Sequence, residues 1–327
     1  MTAGTRAQPA ATLSLDLDNL WCYQRSFGLA GWQDYPSFAE RALPRILAIL
    51  DRLDLRLTLF IIGRDAERPS IRGLLGEAVG AGHEAANHSY DHDPEMLRWA
   101  PERIGDDIAR AENAIVAATG QRPHGFRGPA FAVSPRMLEV LVGRGYAYDA
   151  SSFPNSLGAL ARSYHRRQMS RLASGAPRTE PAYGGLAEAW QPLRPFRWSL
   201  PKGALVEVPV TTMPILRLPF HGTYLHHLAD RSPGLARAYF RASLGLCRLR
   251  GVPPSLLLHL TDVIGHDDCP GLDYLPGMRR SGAQKAAFLE GLLAAYRDTF
   301  RVMPTGGFID ALQARQPLHH VSLAAVS

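Results

Sequence analysis

Between residues 13 and 149 the chain alternates short apolar runs with longer segments of helical spacing, and this alternation restricts the fold more than any other feature. Residues 13–19 alternate apolar and polar side chains, as a strand does. A helix is predicted next: Ser37 and Glu40 read as a capping box, and Ile46, Leu47, Leu50 and Leu53 keep helical spacing. Pro44 predicts a kink or a restart within it. Residues 55–62 form a second strand, and residues 71–81 a helix stopped by Gly82. A third strand leads to His88, and residues 101–118 make an amphipathic helix stopped by Gly120. Residues 125–131 read as strand plus turn, Ser134-Pro135 as the start of a helix, and residues 145–152 as a fifth strand with its exit. Strand and helix in strict succession imply a parallel sheet, open or closed into a barrel.

The pattern breaks at residues 154–204, which are rich in Arg, Ser, Pro and Gly and carry Trp190 and Trp198. They read as an inserted lid with some helix near 160–172. It then resumes: a strand at 205–210, an apolar stretch at 213–228, a helix at 233–249, a buried strand at 255–260, a helix at 283–297 and a short strand at 300–303. The expected architecture is one catalytic α/β domain over 1–315, an irregular (β/α) barrel of seven or eight mostly parallel strands, followed by a loose tail at 316–327.

The chain has 327 residues, 46% hydrophobic, which is enough for a sizeable core. No run of eighteen apolar residues is present, and the first residues lack the apolar stretch of a signal peptide. Together with three scattered cysteines, this predicts a reducing, cytoplasmic setting. The net charge of +6 favours anionic headgroups or sugar phosphates. No nucleic-acid-binding signature accompanies it, so nucleic acid is excluded as a partner, and no obligate protein partner is evident.

The residues able to do chemistry fall at the ends of successive strands. Asp16 and Asp18 share one strand face, roughly 7 Å apart, an arrangement that calls for a cation or an Arg between them. His88 and His92 stand four apart, the spacing of two imidazoles gripping one metal ion. Arg127, Asp149 and His259 close later strands. In a parallel barrel such ends converge on one face. Trp21 and Tyr23 lie in an aromatic loop that either lines a substrate cleft or packs over the barrel end.

These motifs, in this order, resemble the NodB-type polysaccharide deacetylases, carbohydrate esterase family four. Asp16-Leu-Asp18 matches the family's first motif, with a Leu between acids that are more often adjacent. His88-Ser-Tyr-Asp-His92 matches the second, Arg127-Gly-Pro129 the third and Leu257-Leu-His259 the last. The resemblance implies that Asp16 is the general base, paired with Arg127, and that His259 is the general acid. It implies that Asp18, His88 and His92 hold one divalent metal, Zn2+ first, with Co2+, Ni2+ or Mn2+ as alternatives. An Ala130 or Phe131 backbone amide would hold the oxyanion, and Asp149 stands for a fourth motif whose usual Asp-Trp form is absent. Trp21, Tyr23 and Phe131 would contact substrate. The implied reaction removes an N-acyl group from an amino sugar in a polysaccharide precursor, a glycolipid or a lipid-linked sugar, at or near the inner membrane face. The rival readings are a small-molecule amidohydrolase on the same fold and a catalytically idle carbohydrate-binding relative.

Overall fold

The computed structural model describes residues 8–158, 163, 167 and 189–322. Ten strands form one sheet: β1 (Ala10–Asp16), β2 (Thr58–Ile61), β3 (Glu84–Asn87), β4 (Gly125–Phe126), β5 (Tyr148–Asp149), β6 (Phe196–Leu200), β7 (Gly203–Glu207), β8 (Ser255–His259), β9 (Arg301–Met303) and β10 (His320–Ser322). Their order is β10-β6-β7-β5-β4-β3-β2-β1-β8, with β9 beside β1, and every pairing is parallel except β6 with β7. The path from β1 through β5 to β7 curls round to meet β8. Closure comes from two bonds, Thr211 N to Ser255 O at 3.1 Å and Ser255 N to the Thr211 hydroxyl at 2.7 Å. The result is the expected irregular barrel, with β6, β9 and β10 attached outside its ring.

The alternation in β1 has a specific use. Its apolar residues Leu13 and Leu15 join the main core under the outer helices, and its polar residues Thr12, Ser14 and Asp16 face the barrel interior. Both faces are therefore buried, as parallel strands covered by helices must be. The helix Ala39–Arg52 lays Ala42, Leu43, Ile46, Ile49 and Leu50 against that core. Pro44 neither breaks nor restarts it. It stands at the sixth helical position, so the bond to the Glu40 carbonyl is lost and the helix runs on across it. The predicted capping box does not form. Ser37 lies one residue too early, its hydroxyl bonds Glu40, and Asn19 instead accepts from Phe38 N at 2.9 Å.

Three expectations change in the second half. Part of the expected lid belongs to the sheet: β6 pairs with β7, and Trp198 is fully buried with its indole N–H donating to Glu207 at 2.8 Å. The helix expected near 160–172 lies outside the described residues. The tail is not loose where it is described, because His320–Ser322 pairs with β6. A helix missing from the sequence reading, Thr305–Gln313, plugs the lower end of the barrel. Thr305 bonds the hydroxyls of Thr12 and Thr58, and Gly306 N donates to Glu84 at 3.0 Å. Nine residues with two adjacent glycines give too little periodicity to read. Of the apolar stretch 213–228, Met213, Phe220 and Leu225 are buried in the core, while Ile215 and Leu216 stand exposed.

Candidate metal-centred active site

Strand β1 delivers Asp16 at its last position and Asp18 two residues on, at the upper mouth of the barrel. Strand β3 delivers His88, and the loop after it returns His92 to the same spot through left-handed backbone at Ser89 (φ 64°) and His92 (φ 45°). Such conformations are costly for non-glycine residues and persist where the surroundings impose them. Asn87 contributes, its side-chain oxygen accepting from Ser89 N at 2.8 Å, and Ser89 Oγ accepts from His92 N at 3.0 Å.

The three metal candidates meet. One Asp18 carboxylate oxygen lies 3.2 Å from His88 Nε2 and 3.1 Å from His92 Nε2, and one donor atom from each residue falls within 4.8 Å of the others. The Arg127 carbonyl, 2.7 Å from His88 Nδ1, accepts that ring proton and leaves Nε2 to face the site. His92 Nδ1 is buried without a hydrogen-bond partner, and its Nε2 meets only the Asp18 oxygen that His88 Nε2 also meets. Two imidazole nitrogens converging on one carboxylate oxygen fit a bound cation. Burial works against the charge on Asp18, but the two imidazoles hold its carboxyl well below the usual range. Burial likewise disfavours charge on His88, and Asp16 and Asp18 outweigh it and raise its pKa.

Asp16 and Arg127 form a buried pair at 2.5 Å. Arg127 also donates to Ser14 Oγ at 3.0 Å and to Ala150 O at 2.8 Å, and its guanidinium lies 4.0 Å from the Phe60 ring centre. The second Asp16 oxygen faces His259 Nε2 at 3.9 Å. Asp16 thus stands between the metal candidates and His259, in one mouth.

The loop after β4 carries the two amide candidates. Ala130 (φ 50°) and Phe131 (φ 61°) are both left-handed. A side chain on Gly128 would meet Ala132 O at 1.9 Å, so the turn requires glycine. The Phe131 N–H already donates to Gly128 O at 3.0 Å, which leaves the Ala130 N–H as the stronger oxyanion candidate. The Phe131 ring is half-buried against Phe153, centroids 4.8 Å apart.

Two expected site residues do other work. Trp21 is fully buried, and its indole N–H bonds both oxygens of Asp65 at 3.2 Å. It sits in a helix, Leu20–Ser26, where the sequence reading gave a loop, and anchors that helix instead of lining a cleft. Tyr23 is half-buried, its hydroxyl 3.5 Å from Thr261, with a pKa raised by burial and by Asp18. Asp149 is also corrected, since its interactions run away from His259. Ser151 donates to it at 2.6 Å and itself accepts from Gly128 N at 2.8 Å. Its other neighbour is Glu207. Burial raises Asp149 to about 6, and burial with the Asp149 charge pushes Glu207 well up. Asp149 therefore holds the oxyanion loop from beneath.

His259 has partners that the motif reading did not use. Its Nδ1 lies 3.1 Å from Thr223 Oγ1, Thr223 lies 3.1 Å from Asp262 Oδ1, and Asp262 Oδ2 accepts from His259 N at 3.0 Å. Asp262 is fully buried, and burial raises its pKa against the pull of His259 and Lys285. A side chain on Gly222 would sit 1.9 Å from Asp262, so this glycine permits the contact. The signal was the acid three residues after His259.

Residues 30–148 match the family model described as Polysaccharide deacetylase. A peptidoglycan deacetylase-like protein of Gibberella zeae is 29% identical over 175 residues, covering 53% of this chain and 47% of that one. A chitooligosaccharide deacetylase of Bradyrhizobium is 34% identical over 88 residues, 26% of this chain and 38% of that one. The chain thus aligns with less than half the length of these relatives. A crystal structure from Mycobacterium smegmatis, described provisionally as a polysaccharide deacetylase, superposes with a TM-score of 0.63 at 18% identity over 97% of this chain and 95% of that one, a likeness of fold.

Proposed function

We propose that this chain, which belongs with the NodB-type polysaccharide deacetylases, is a metal-dependent hydrolase that removes an N-acyl group, N-acetyl first, from an amino sugar. The observation that carries the reading is a three-donor cluster, Asp18, His88 and His92, with a buried carboxylate and an imidazole beside it in the same mouth. One divalent ion fits, Zn2+ before Co2+, Ni2+ or Mn2+, and three protein donors leave it open positions. Bound there, it would polarise the acyl carbonyl and acidify water.

The chain's own residues supply the remainder. Asp16, oriented by Arg127, takes the proton of the attacking water. The Ala130 N–H, aimed by the left-handed turn, donates to the developing oxyanion. His259 gives a proton to the leaving amine from Nε2, the nitrogen nearest Asp16. An amide needs that proton because a free amide anion is too poor a leaving group. Thr223 and Asp262 fix the His259 ring, and Asp149 through Ser151 supports the oxyanion turn. Tyr23 and Phe131 are the remaining side chains placed to contact the sugar.

The substrate class is an amino-sugar polymer, its precursor or a lipid-linked form, in line with the activities for which the relatives are named. The three described cysteines are free, which supports a reducing, cytoplasmic setting. The test is acetate release from N-acetylglucosamine oligomers by purified protein, with metal content measured in parallel. One metal per chain is expected, lost in Asp18→Asn and His92→Ala. Activity should fall at least a hundredfold in Asp16→Asn and His259→Gln, the scale of general acid–base catalysis. Retained activity in both, or an unaltered metal content in Asp18→Asn, overturns the proposal.

A further inference from the structure

The opposite end of the barrel carries a second feature, independent of the deacetylase reading. Two adjoining hollows of about 530 and 420 Å3 open where β1 and β8 begin, away from the catalytic mouth. They share Arg194, Val252 and His319. Arg248 and Arg315 line the first, Arg217 and Arg250 the second, and no Asp or Glu lines either.

Several arginines elsewhere on the surface are neutralised: Arg45 meets Asp268, Arg52 meets Glu290, Arg64 meets Asp91 and Arg144 meets Glu112. Among the described residues Arg248, Arg250 and Arg315 meet no carboxylate. The apolar surface gathers in the same place. Ile215 (70% exposed) lines the second hollow beside Arg250, and Leu216 (57%) follows it. Leu249 (79%) projects between Arg248 and Arg250, and Trp190 (79%) lies by Arg217. These are four of the six exposed large apolar side chains among the described residues.

We infer that this face docks on an anionic lipid bilayer. A free phosphate would use the arginines but leave Ile215, Leu216 and Leu249 in water. A headgroup layer takes both, with arginines at the phosphates and aliphatic tips below them. No helix of the described residues is long and apolar enough to cross a membrane, so contact here is peripheral. Each arginine near an anionic surface contributes roughly fivefold to partitioning.

The experiment is flotation of the full chain with vesicles of one part phosphatidylglycerol to three of phosphatidylcholine, against phosphatidylcholine alone. Binding to the first and not the second is expected. The triple variant Arg248→Glu/Arg250→Glu/Arg315→Glu should lower it about a hundredfold or more. The neutral variant Leu249→Ser should weaken vesicle binding while leaving retention on heparin unchanged. All these positions are exposed, and circular dichroism checks folding. Deacetylation of a soluble oligosaccharide by the triple variant should match the parent, which separates this proposal from the catalytic one. Vesicle binding that ignores the charge reversal, or heparin retention without vesicle binding, overturns it.

Discussion

The Asp16–Arg127 pair is where stability and chemistry meet most directly, and a double-mutant cycle measures how. Both side chains are almost completely buried and touch at 2.5 Å. Removing one partner of such a pair leaves an uncompensated buried charge, at about 3–5 kcal/mol. Arg127→Met belongs at the upper end, because Ser14 Oγ and Ala150 O also lose their donor. Asp16→Asn belongs at the lower end, since an amide oxygen still accepts from the guanidinium. The double variant leaves neither charge behind, so its cost should fall short of the sum by about 2 kcal/mol or more. Denaturant unfolding at pH 7 with chelator present reads all four corners without contribution from a bound metal. Melting should drop by roughly 8–20 °C for Arg127→Met at about 2–4 °C per kcal/mol for large domains. If the two substitutions add within about 0.5 kcal/mol, they behave as independent sites, and the pair does not orient Asp16 as argued.

Trp21→Phe should lower stability by about 1–3 kcal/mol, the cost of stranding a buried acceptor in Asp65, without changing KM; a raised KM at unchanged stability would restore Trp21 to the cleft. Asp262→Asn and Thr223→Val should each reduce kcat by roughly tenfold or more, part of the general-acid contribution, at constant KM and with the metal retained; unchanged kcat in both would reduce this chain of contacts to packing. His83, buried with Nδ1 accepting from Leu57 N, has its pKa lowered by burial to about 4 from 6.5. The unfolded chain then gains a proton that the folded chain refuses, so stability should fall as pH drops from about 6.5 to about 4, and His83→Gln should flatten that slope in a pH series of melts.

Legibility followed the range of the signal. Periodicity located the strands and the long helices from residue 13 to residue 149, though not the short helix Leu20–Ser26, because a βα succession is written locally. The donors of the metal cluster could be read because each falls at a strand end, and strand ends in a parallel barrel converge by topology. What failed was local sequence with a non-local answer. Trp21 reads the same in a cleft wall as in a plug, and only Asp65, forty-four residues on, decides. Asp149 stands at a strand end like Asp16, but β7 presents Glu207 to it and occupies it there. The strand hidden in the expected lid, β6, pairs antiparallel in a sheet otherwise parallel, so the βα rhythm gave no warning of it.

Trp21 differs from the retained residues in one physical property. Trp21 spends its indole N–H inside the fold, as does Trp198. The residues kept in the reading turn an atom toward the common mouth: His88 and His92 their Nε2, which converge on one Asp18 oxygen, Asp16 its second oxygen and His259 its Nε2. His92 Nδ1 has no partner, and leaving such an atom buried costs about 1–3 kcal/mol. The same distinction orders the variants. His92→Ala gives up one contact, with Asp18, and removes one orphaned nitrogen, so it should change the stability of the metal-free chain by less than Trp21→Phe lowers it. Unfolding of the two in chelator, run side by side, tests this ordering, and a His92→Ala destabilised more than Trp21→Phe would mean that its imidazole is held by the protein and not by a cation.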